Sequence, residues 1–190
     1  GIWPQDAPDK VENITIKYEA GRAVEINGQA VSPFEAMTLA NEIGGRNGVW
    51  MRNALENRII GTKSRGVYEA PGMEVLNQGL QQVLQATLDR RSTALYWQMS
   101  RLISDLVYDG RYFDETCKAA YAAVDTLTAS ASATVTLGLY KGNVFFMSLT
   151  DCSASLYNEE DSSMEASDGL NPASSQGYAD IIGVEAVALA

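Results

Sequence analysis

Two hairpin patterns, one near each end of the chain, constrain the fold more than any other feature of the sequence. In each pattern, apolar residues alternate with polar ones beside a short turn, which is typical of strands with one buried face. The first pattern turns at residues 20–22 and the second at residues 141–143. The alternating apolar residues are Ile14, Ile16, Tyr18, Val24 and Ile26 in the first hairpin, and Val135, Leu137 and Leu139 in the second. Both patterns predict an antiparallel sheet.

Helical signals fill much of the sequence between these hairpins. Ser32-Pro33-Phe34-Glu35 is a capping box with proline at the first helical position, so we expect a helix to begin there. Pro71 opens a longer helical zone that ends at Gly110, and Asp114 can cap another helix. Strands and helices do not alternate throughout. We therefore expect one α+β domain over residues 1–190, an antiparallel sheet built from hairpins with helices packed against it.

Weaker signals mark the remaining stretches. Short strand-like pieces are expected at residues 49–51 and 58–60, on either side of Glu56. Residues 158–176 are acidic and rich in serine, glycine and alanine, which indicates a long surface loop. A short amphipathic piece is expected at residues 178–182, followed by a weakly polar tail.

The composition argues against several classes of function. The chain contains no histidine and only two cysteines, which lie far apart, so we expect no metal site. A formal net charge of −10 argues against a nucleic-acid-binding surface. No apolar run reaches the roughly 18 residues that a membrane span needs, so we expect no membrane association and predict a cytoplasmic protein.

The strongest candidate for a functional site is LENRIIGTKSRGVYEAPG, at residues 55–72. Lys63 and Arg65 lie between two glycines, which would let backbone amides approach a carboxylate or phosphate. Glu56 can accept a hydrogen bond from an ammonium group, and the Tyr68 phenol can contact a carboxylate or carbonyl. These groups suit an amino-acid zwitterion. The alternative is a solvated loop between a strand and a helix, since loops are polar by default.

The run ENRIIGTKSRGVYEAPG resembles the hallmark of argininosuccinate synthases, which carry E-N-R, then G-x-K-S-R-G, then Y-E-x-P-G. Other segments resemble landmarks of that family in the same order, namely VENITIKYEAGRAVEINGQAVSP, NEIGGRNGV, LVYDGRYFD, LYKGNV and SLYNEE. The resemblance covers residues 11–182 and is to the C-terminal domain, the synthetase and multimerisation half. It implies that the N-terminal half, whose S-G-G-x-D-[TS]-S loop holds ATP, is absent from this chain.

The family joins citrulline to aspartate at the expense of ATP, through a citrullyl-adenylate. The resemblance implies that Glu56 pairs with the α-ammonium of citrulline and that Tyr68 contacts its amino-acid end. Four further residues would support the loop or touch the nucleotide: Arg58, Lys63, Ser64 and Arg65. The resemblance implies no catalytic residue and no metal ligand in this chain. These residues would instead position the substrate.

The resemblance also implies partners. ATP with Mg would be bound by the missing ATP-loop domain, supplied in cis or in trans, so no cofactor is expected on this chain alone. The complete enzyme would be an ATP-dependent carbon–nitrogen ligase, and this chain by itself would be inactive. A homo-oligomer is expected, because the family assembles through this half.

Two alternatives to a domain of a complete synthase stay open. One is a stand-alone subunit that works with a separately encoded ATP-loop subunit. The other is a non-catalytic relative that acts as an oligomerisation or amino-acid-binding module. Four departures from the family pattern bear on this last alternative: Asn53 replaces a usual aspartate, Trp50 a frequent glycine, Arg91 a common glutamate and Trp97 a common lysine. The change to Asn53 is expected to remove a charge near the site.

Overall fold

The computed structural model describes residues 1–159 and 171–189, which fall into two compact units. The first unit, Gly1–Ala154, contains both β-sheets, and the second begins at Ser155. A short 3-10 helix, Pro4–Asp6, is the first element of the larger unit. The assignment of residues 1–190 to one domain stays a prediction.

The larger unit is organised around a five-stranded antiparallel sheet. Its strands are β1 (Glu12–Glu19), β2 (Arg22–Ile26), β3 (Gln29–Ala30), β6 (Ala133–Tyr140) and β7 (Asn143–Thr150). They lie in the order β3-β2-β1-β6-β7. The two predicted hairpins are therefore confirmed. Pairing of β1 with β6 joins them, with Ile16 opposite Val135.

Four helices belong to the larger unit: α1 (Pro33–Arg46), α2 (Pro71–Thr87), α3 (Arg90–Tyr108) and α4 (Glu115–Thr128). The predicted capping box begins α1. Ser32 Oγ accepts a hydrogen bond from the Glu35 amide at 3.3 Å, and Glu35 Oε2 accepts one from the Ser32 amide at 2.8 Å. The helical zone that opens at Pro71 is two helices, because the Asp89 carboxylate caps two backbone amides at the start of α3.

The hydrophobic core lies between one face of the five-stranded sheet and the helices α1 and α2. Its sheet residues are Ile14, Ile16, Tyr18, Ile26, Val135, Leu137 and Leu139, and its helical residues include Ala36, Ala40, Ile43, Val75, Val83 and Leu84. Burying one such aliphatic side chain contributes roughly 1.5–3 kcal/mol. The Tyr18 hydroxyl donates a hydrogen bond to the Leu76 carbonyl oxygen at 2.7 Å and ties the sheet to α2. The predicted α+β class is confirmed.

A two-stranded antiparallel hairpin, β4 (Met51–Asn57) and β5 (Lys63–Glu69), carries the candidate site. No strand forms at residues 58–60, so that prediction is wrong. The strand-like piece expected at residues 49–51 overlaps β4 only at its first residue, Met51. Residues 58–62 form the turn instead. The Arg58 amide donates to the Thr62 carbonyl oxygen at 2.7 Å, and the Gly61 amide donates to the Arg58 carbonyl oxygen at 2.8 Å.

The described part of the second unit contains one helix of known bounds, α5 (Pro172–Ala188). Its start is fixed by Asn171, whose Oδ1 accepts a hydrogen bond from the Ala173 amide at 3.0 Å. Proline follows at the first helical position, where its missing N–H has no intrahelical partner to lose.

The loop expected over residues 158–176 is therefore wrong for residues 172–176, and residues 160–170 lie outside the described residues. The piece expected at residues 178–182 is the middle of a longer helix. No helix in the described ranges has the combination of length and apolar composition that a bilayer span requires.

Candidate functional site

The register of the β4–β5 hairpin sorts its side chains onto two faces, because directly opposed residues of an antiparallel pair share a face. Glu56 lies opposite Ser64, and Arg52 lies opposite Tyr68. We call this side the Glu56 face, and it comprises Arg52, Ala54, Glu56, Ser64, Gly66 and Tyr68. The other side is called the Arg65 face, and it comprises Met51, Asn53, Leu55, Asn57, Lys63, Arg65, Val67 and Glu69.

One carboxylate oxygen gathers the polar groups of the Glu56 face. Glu56 Oε1 accepts a hydrogen bond from the Tyr68 hydroxyl at 2.6 Å and a long one from the Ser64 hydroxyl at 3.5 Å. Arg58, in the turn, brings Nη2 to 3.9 Å from the same oxygen. Oε2 has no partner among the described residues, and the Glu56 side chain keeps 27% of its surface exposed. The face therefore offers one carboxylate oxygen, beside a phenol, to a cationic group.

The Tyr68 ring lies along β5, directly over Gly66. A Cβ atom at Gly66 would lie 2.6 Å from Cε2 of the ring and 2.8 Å from the hydroxyl oxygen. The hydrogen bond to Glu56, assisted by desolvation, raises the pKa of Tyr68 above its ordinary value, while the Arg58 charge opposes the rise. At neutral pH the phenol therefore stays protonated and donates a hydrogen bond to Glu56.

The Arg65 face has a different character. Arg65 Nε donates a hydrogen bond to Asn53 Oδ1 at 2.8 Å, which links the two strands. Three exposed apolar side chains share this face, those of Met51, Leu55 and Val67. Asn53 therefore points away from Glu56, and the expectation that it removes a charge beside the site is wrong for the Glu56 face.

The structure brings together four of the six residues that the sequence singled out. Glu56, Arg58, Ser64 and Tyr68 meet at one carboxylate oxygen, whereas Lys63 and Arg65 lie on the other face. Residues 63–65 belong to β5 rather than to a loop, and the contact of their amides with a ligand stays a prediction. The functional roles of all six residues stay predictions.

The N-terminal segment holds the base of the hairpin. The Trp50 indole N–H donates to the Ile2 carbonyl oxygen at 2.5 Å. The Trp50 ring also packs edge-on against Trp3, with 5.3 Å between ring centroids. Trp50 is thus a packing residue in this chain, which gives a physical reason for the departure from the glycine pattern.

Two helices also contact the hairpin. An ion pair joins Arg52 of β4 to Glu74 of α2, and the Tyr108 hydroxyl of α3 donates to the Asn57 carbonyl oxygen at 3.3 Å. Neither contact was expected from the sequence, because no local pattern pairs residues so far apart. The sequence indicates Gly66 only as one of the two glycines that flank Lys63 and Arg65, and its place beneath the Tyr68 ring is visible only in the structure.

Comparison with known proteins bears on this site. The sequence model described as "Arginosuccinate synthase C-terminal domain" matches residues 3–189, almost the whole chain. The chain belongs to the argininosuccinate synthase family. The resemblance carried by the hallmark run is therefore confirmed, and four residues of the Glu56 face lie within that run, namely Glu56, Ser64, Gly66 and Tyr68.

Curated argininosuccinate synthases align with most of this chain. It is 41% identical over 184 residues to the argininosuccinate synthase of Rhodopirellula baltica, an alignment that covers 97% of this chain and 45% of the relative. The synthase of Photobacterium profundum is 40% identical over 162 residues, with 84% and 40% covered. The chloroplastic synthase of Arabidopsis thaliana is 38% identical over 185 residues, with 96% and 37% covered. The chain thus spans less than half the length of these synthases.

The described residues do not by themselves form a site for a magnesium ion. Within the described residues, no group of three or more His, Cys, Asp or Glu side chains is placed to hold a metal ion. The Gly61 amide, which an anion-binding turn would leave free, bonds to the Arg58 carbonyl oxygen. What this synthase domain does offer is a carboxylate and a phenol suited to the amino-acid end of a substrate.

Proposed function

We propose that this chain supplies the citrulline-binding part of an argininosuccinate synthase, an ATP-dependent carbon–nitrogen ligase of arginine biosynthesis. The observation that carries the proposal is the open Oε2 of Glu56 beside the Tyr68 phenol, inside the hallmark run. Because the chain spans less than half of its relatives, we propose that it acts together with an N-terminal, ATP-binding half and is inactive alone.

The proposed site holds citrulline by its α-ammonium group. Glu56 Oε2 accepts one N–H in a charge-assisted hydrogen bond, which is stronger than a neutral one. The Tyr68 oxygen donates its own proton to Oε1, so its lone pairs accept a second N–H. Ser64 and Arg58 both approach Oε1, at 3.5 Å and 3.9 Å, which leaves Oε2 as the carboxylate oxygen available to the ligand.

In the proposed reaction the ureido oxygen of citrulline attacks the α-phosphorus of ATP. An oxygen–phosphorus bond forms and pyrophosphate leaves, and the amine of aspartate then displaces AMP. This chain's residues position citrulline and transfer no proton. We propose that ATP with Mg is bound by the N-terminal half, in cis or in trans, that the assembled enzyme is a homo-oligomer, and that it works in the cytoplasm.

The test is argininosuccinate formation from ATP, citrulline and aspartate, with this chain alone and with the N-terminal half of a relative added. Turnover is expected only in the mixture. Replacing Glu56 by glutamine should lower kcat/KM for citrulline by roughly 10- to 100-fold, the loss of one hydrogen bond to a charged group. The effect should appear mainly in KM, because Glu56 binds the unreacting end of the substrate.

The matched control is Glu115→Gln, which removes an exposed carboxylate that pairs with Lys118 on α4. It should leave kcat/KM unchanged. The proposal fails if the two halves form a stable complex without turnover, and the non-catalytic module then becomes the better hypothesis. Equal losses in Glu56→Gln and Glu115→Gln would instead remove the citrulline role of Glu56.

A further inference from the structure

Gly66 occupies an unusual position in the hairpin. It lies on the Glu56 face between Ser64 and Tyr68, and the Tyr68 ring folds back across it toward Glu56. A Cβ atom there would lie 2.6 Å from Cε2, 2.7 Å from Cζ and 2.8 Å from the hydroxyl oxygen of Tyr68. These separations are well inside ordinary carbon contact distances of about 3.5–4.0 Å, so any larger residue displaces the ring.

We infer that Gly66 is a positioning residue for the amino-acid ligand of this site, because its bare Cα lets the Tyr68 ring lie flat and bring its hydroxyl to Glu56. The ligand, citrulline, rests on the proposed function. The local geometry does not, since it is a property of the unliganded hairpin. A residue with a side chain at this position separates Tyr68 from Glu56 and removes the aligned pair that would bind an ammonium group.

Because Tyr68 is exposed, we expect a substitution at Gly66 to change the position of the ring and not the stability of the fold. The ring is about half exposed, so it can swing into solvent when a methyl group takes its place. Alanine also suits a strand at least as well as glycine does. The substitution Gly66→Ala should therefore shift the free energy of unfolding by no more than about 0.5 kcal/mol.

A second glycine in the chain provides a matched control. Gly138 in β6 lies beneath the ring of its cross-strand partner Phe145, and a Cβ atom there would come within 2.6 Å of that ring. This site has the same clash between a strand glycine and an aromatic ring, but it belongs to the five-stranded sheet. Gly138→Ala therefore reproduces the general cost of such a clash without touching the Glu56 face.

The experiment follows the Tyr68 phenol by carbon NMR of ring-labelled tyrosine through a pH titration of the 190-residue chain. In the natural chain the Tyr68 pKa should lie above the ordinary value, because of its hydrogen bond to Glu56. Gly66→Ala should lower it toward that value, and Gly138→Ala should leave it unchanged. An unchanged Tyr68 pKa in a folded Gly66→Ala chain would overturn the inference.

A measurement on the natural chain guards against a variant that does not fold. Nuclear Overhauser effects should connect the Tyr68 ring protons with the Gly66 Hα protons, and their absence would also overturn the inference. Neither readout requires citrulline or ATP. A mixture without turnover therefore rejects the proposed function but not the role of Gly66 in bringing Tyr68 to Glu56. An unchanged Tyr68 pKa in Gly66→Ala rejects that role, and the citrulline role of Glu56 can still be tested.

In the active mixture, Gly66→Ala should raise KM for citrulline by roughly 2- to 10-fold, the equivalent of one neutral hydrogen bond. The same substitution in a Tyr68→Phe background should add little, because the hydroxyl through which Gly66 acts is already gone. Independent, additive losses would show that Gly66 does not act through the Tyr68 hydroxyl.

Discussion

The five-stranded sheet and the β4–β5 hairpin are both built by antiparallel pairing, but the sheet forms the hydrophobic core whereas the hairpin is exposed and carries the candidate site. In the β1–β6 pair, alternate side chains such as Ile16 and Leu137 are fully buried against α1 and α2. In the β4–β5 pair no side chain is buried, and Leu55 keeps 68% of its surface exposed. Core packing fixes which face of the first pair is apolar. In the second, both faces are free to carry binding groups.

The difference indicates how an exposed hairpin stays ordered. An isolated two-stranded hairpin is marginally stable in water, so its backbone pairing needs support. Here the support comes from its edges, through Trp50 at the base, the ion pair from Arg52, and the Tyr108 hydroxyl at the far end of β4. These anchors leave Glu56 Oε2, beside the Tyr68 phenol, without a partner among the described residues and open to a ligand.

The largest expected effect is a difference between the two sheets in how much the truncation of one apolar side chain lowers the free energy of unfolding. Ile16→Ala should lower the free energy of unfolding by about 2–5 kcal/mol, because it leaves a cavity between the sheet and the helices. Leu55→Ala, the matched truncation in the hairpin, should change it by no more than about 0.5 kcal/mol. Urea unfolding of both variants measures the contrast. Similar losses would mean that the hairpin also has a buried apolar face.

The second effect compares one carboxylate from each sheet. Glu12, the first residue of β1, accepts hydrogen bonds from Arg46 Nε at 3.0 Å and from Asn47 Nδ2 at 2.6 Å. The Arg46 guanidinium holds the pKa of Glu12 below its ordinary value. Glu12→Gln should therefore lower the free energy of unfolding at pH 6 by about 1 kcal/mol, a small value because the ion pair is partly exposed to solvent.

The sign of its pH dependence follows from the lowered pKa. The contribution of Glu12 is fully present above its unfolded-state pKa of roughly 4.3 and is lost as the pH falls through the lower folded-state pKa. The difference between the natural chain and Glu12→Gln should therefore shrink from pH 6 to pH 3.5. Glu56→Gln is the hairpin counterpart, and it should stay within about 0.5 kcal/mol at pH 6. A pH-independent difference for Glu12→Gln would contradict the assignment.

The smallest effect distinguishes the two faces of the hairpin. Arg58 is close to Glu56 Oε1, and its charge lowers the pKa of Tyr68, so Arg58→Ala should raise that pKa slightly. Arg65→Ala removes the same charge from the opposite face and should leave it unchanged. The carbon NMR titration of labelled tyrosine reports both values. A shift of equal size in the two variants would show that the faces are not electrically separate.

The elements that the sequence predicts well are those whose signals lie in neighbouring residues. The alternation around Ile16, the capping box at Ser32 and the turn before Asn143 each specify an element through neighbouring residues alone. The β4–β5 strands were misplaced because polar residues occupy both of their faces, so no period of two in hydrophobicity marks them. The start of α5 was missed because the polar composition around Asn171 hid a helix cap followed by proline.

The candidate site divides in the same way. The types of side chain in the hallmark run, above all Glu56 and Tyr68, pointed to an amino-acid ligand and to a family before any geometry was known. The separation of Arg58 and Ser64 from Lys63 and Arg65 was not predictable. Ser64 alternates with Lys63 and Arg65 in any strand, but register decides which of them shares a face with Glu56, and a shift of one residue would place Lys63 or Arg65 there instead.

Hydrophobic periodicity, turn chemistry and the hallmark run all lie in neighbouring positions, so the α+β class, the family and the residue types of the site can be predicted from the sequence. Which of those residues meet depends on tertiary structure. Cross-strand pairing places Glu56 opposite Ser64 and on the same face as Tyr68, and the absence of a side chain at Gly66 lets the Tyr68 ring reach back to Glu56. Both depend on distances between strands, which no single stretch of sequence specifies.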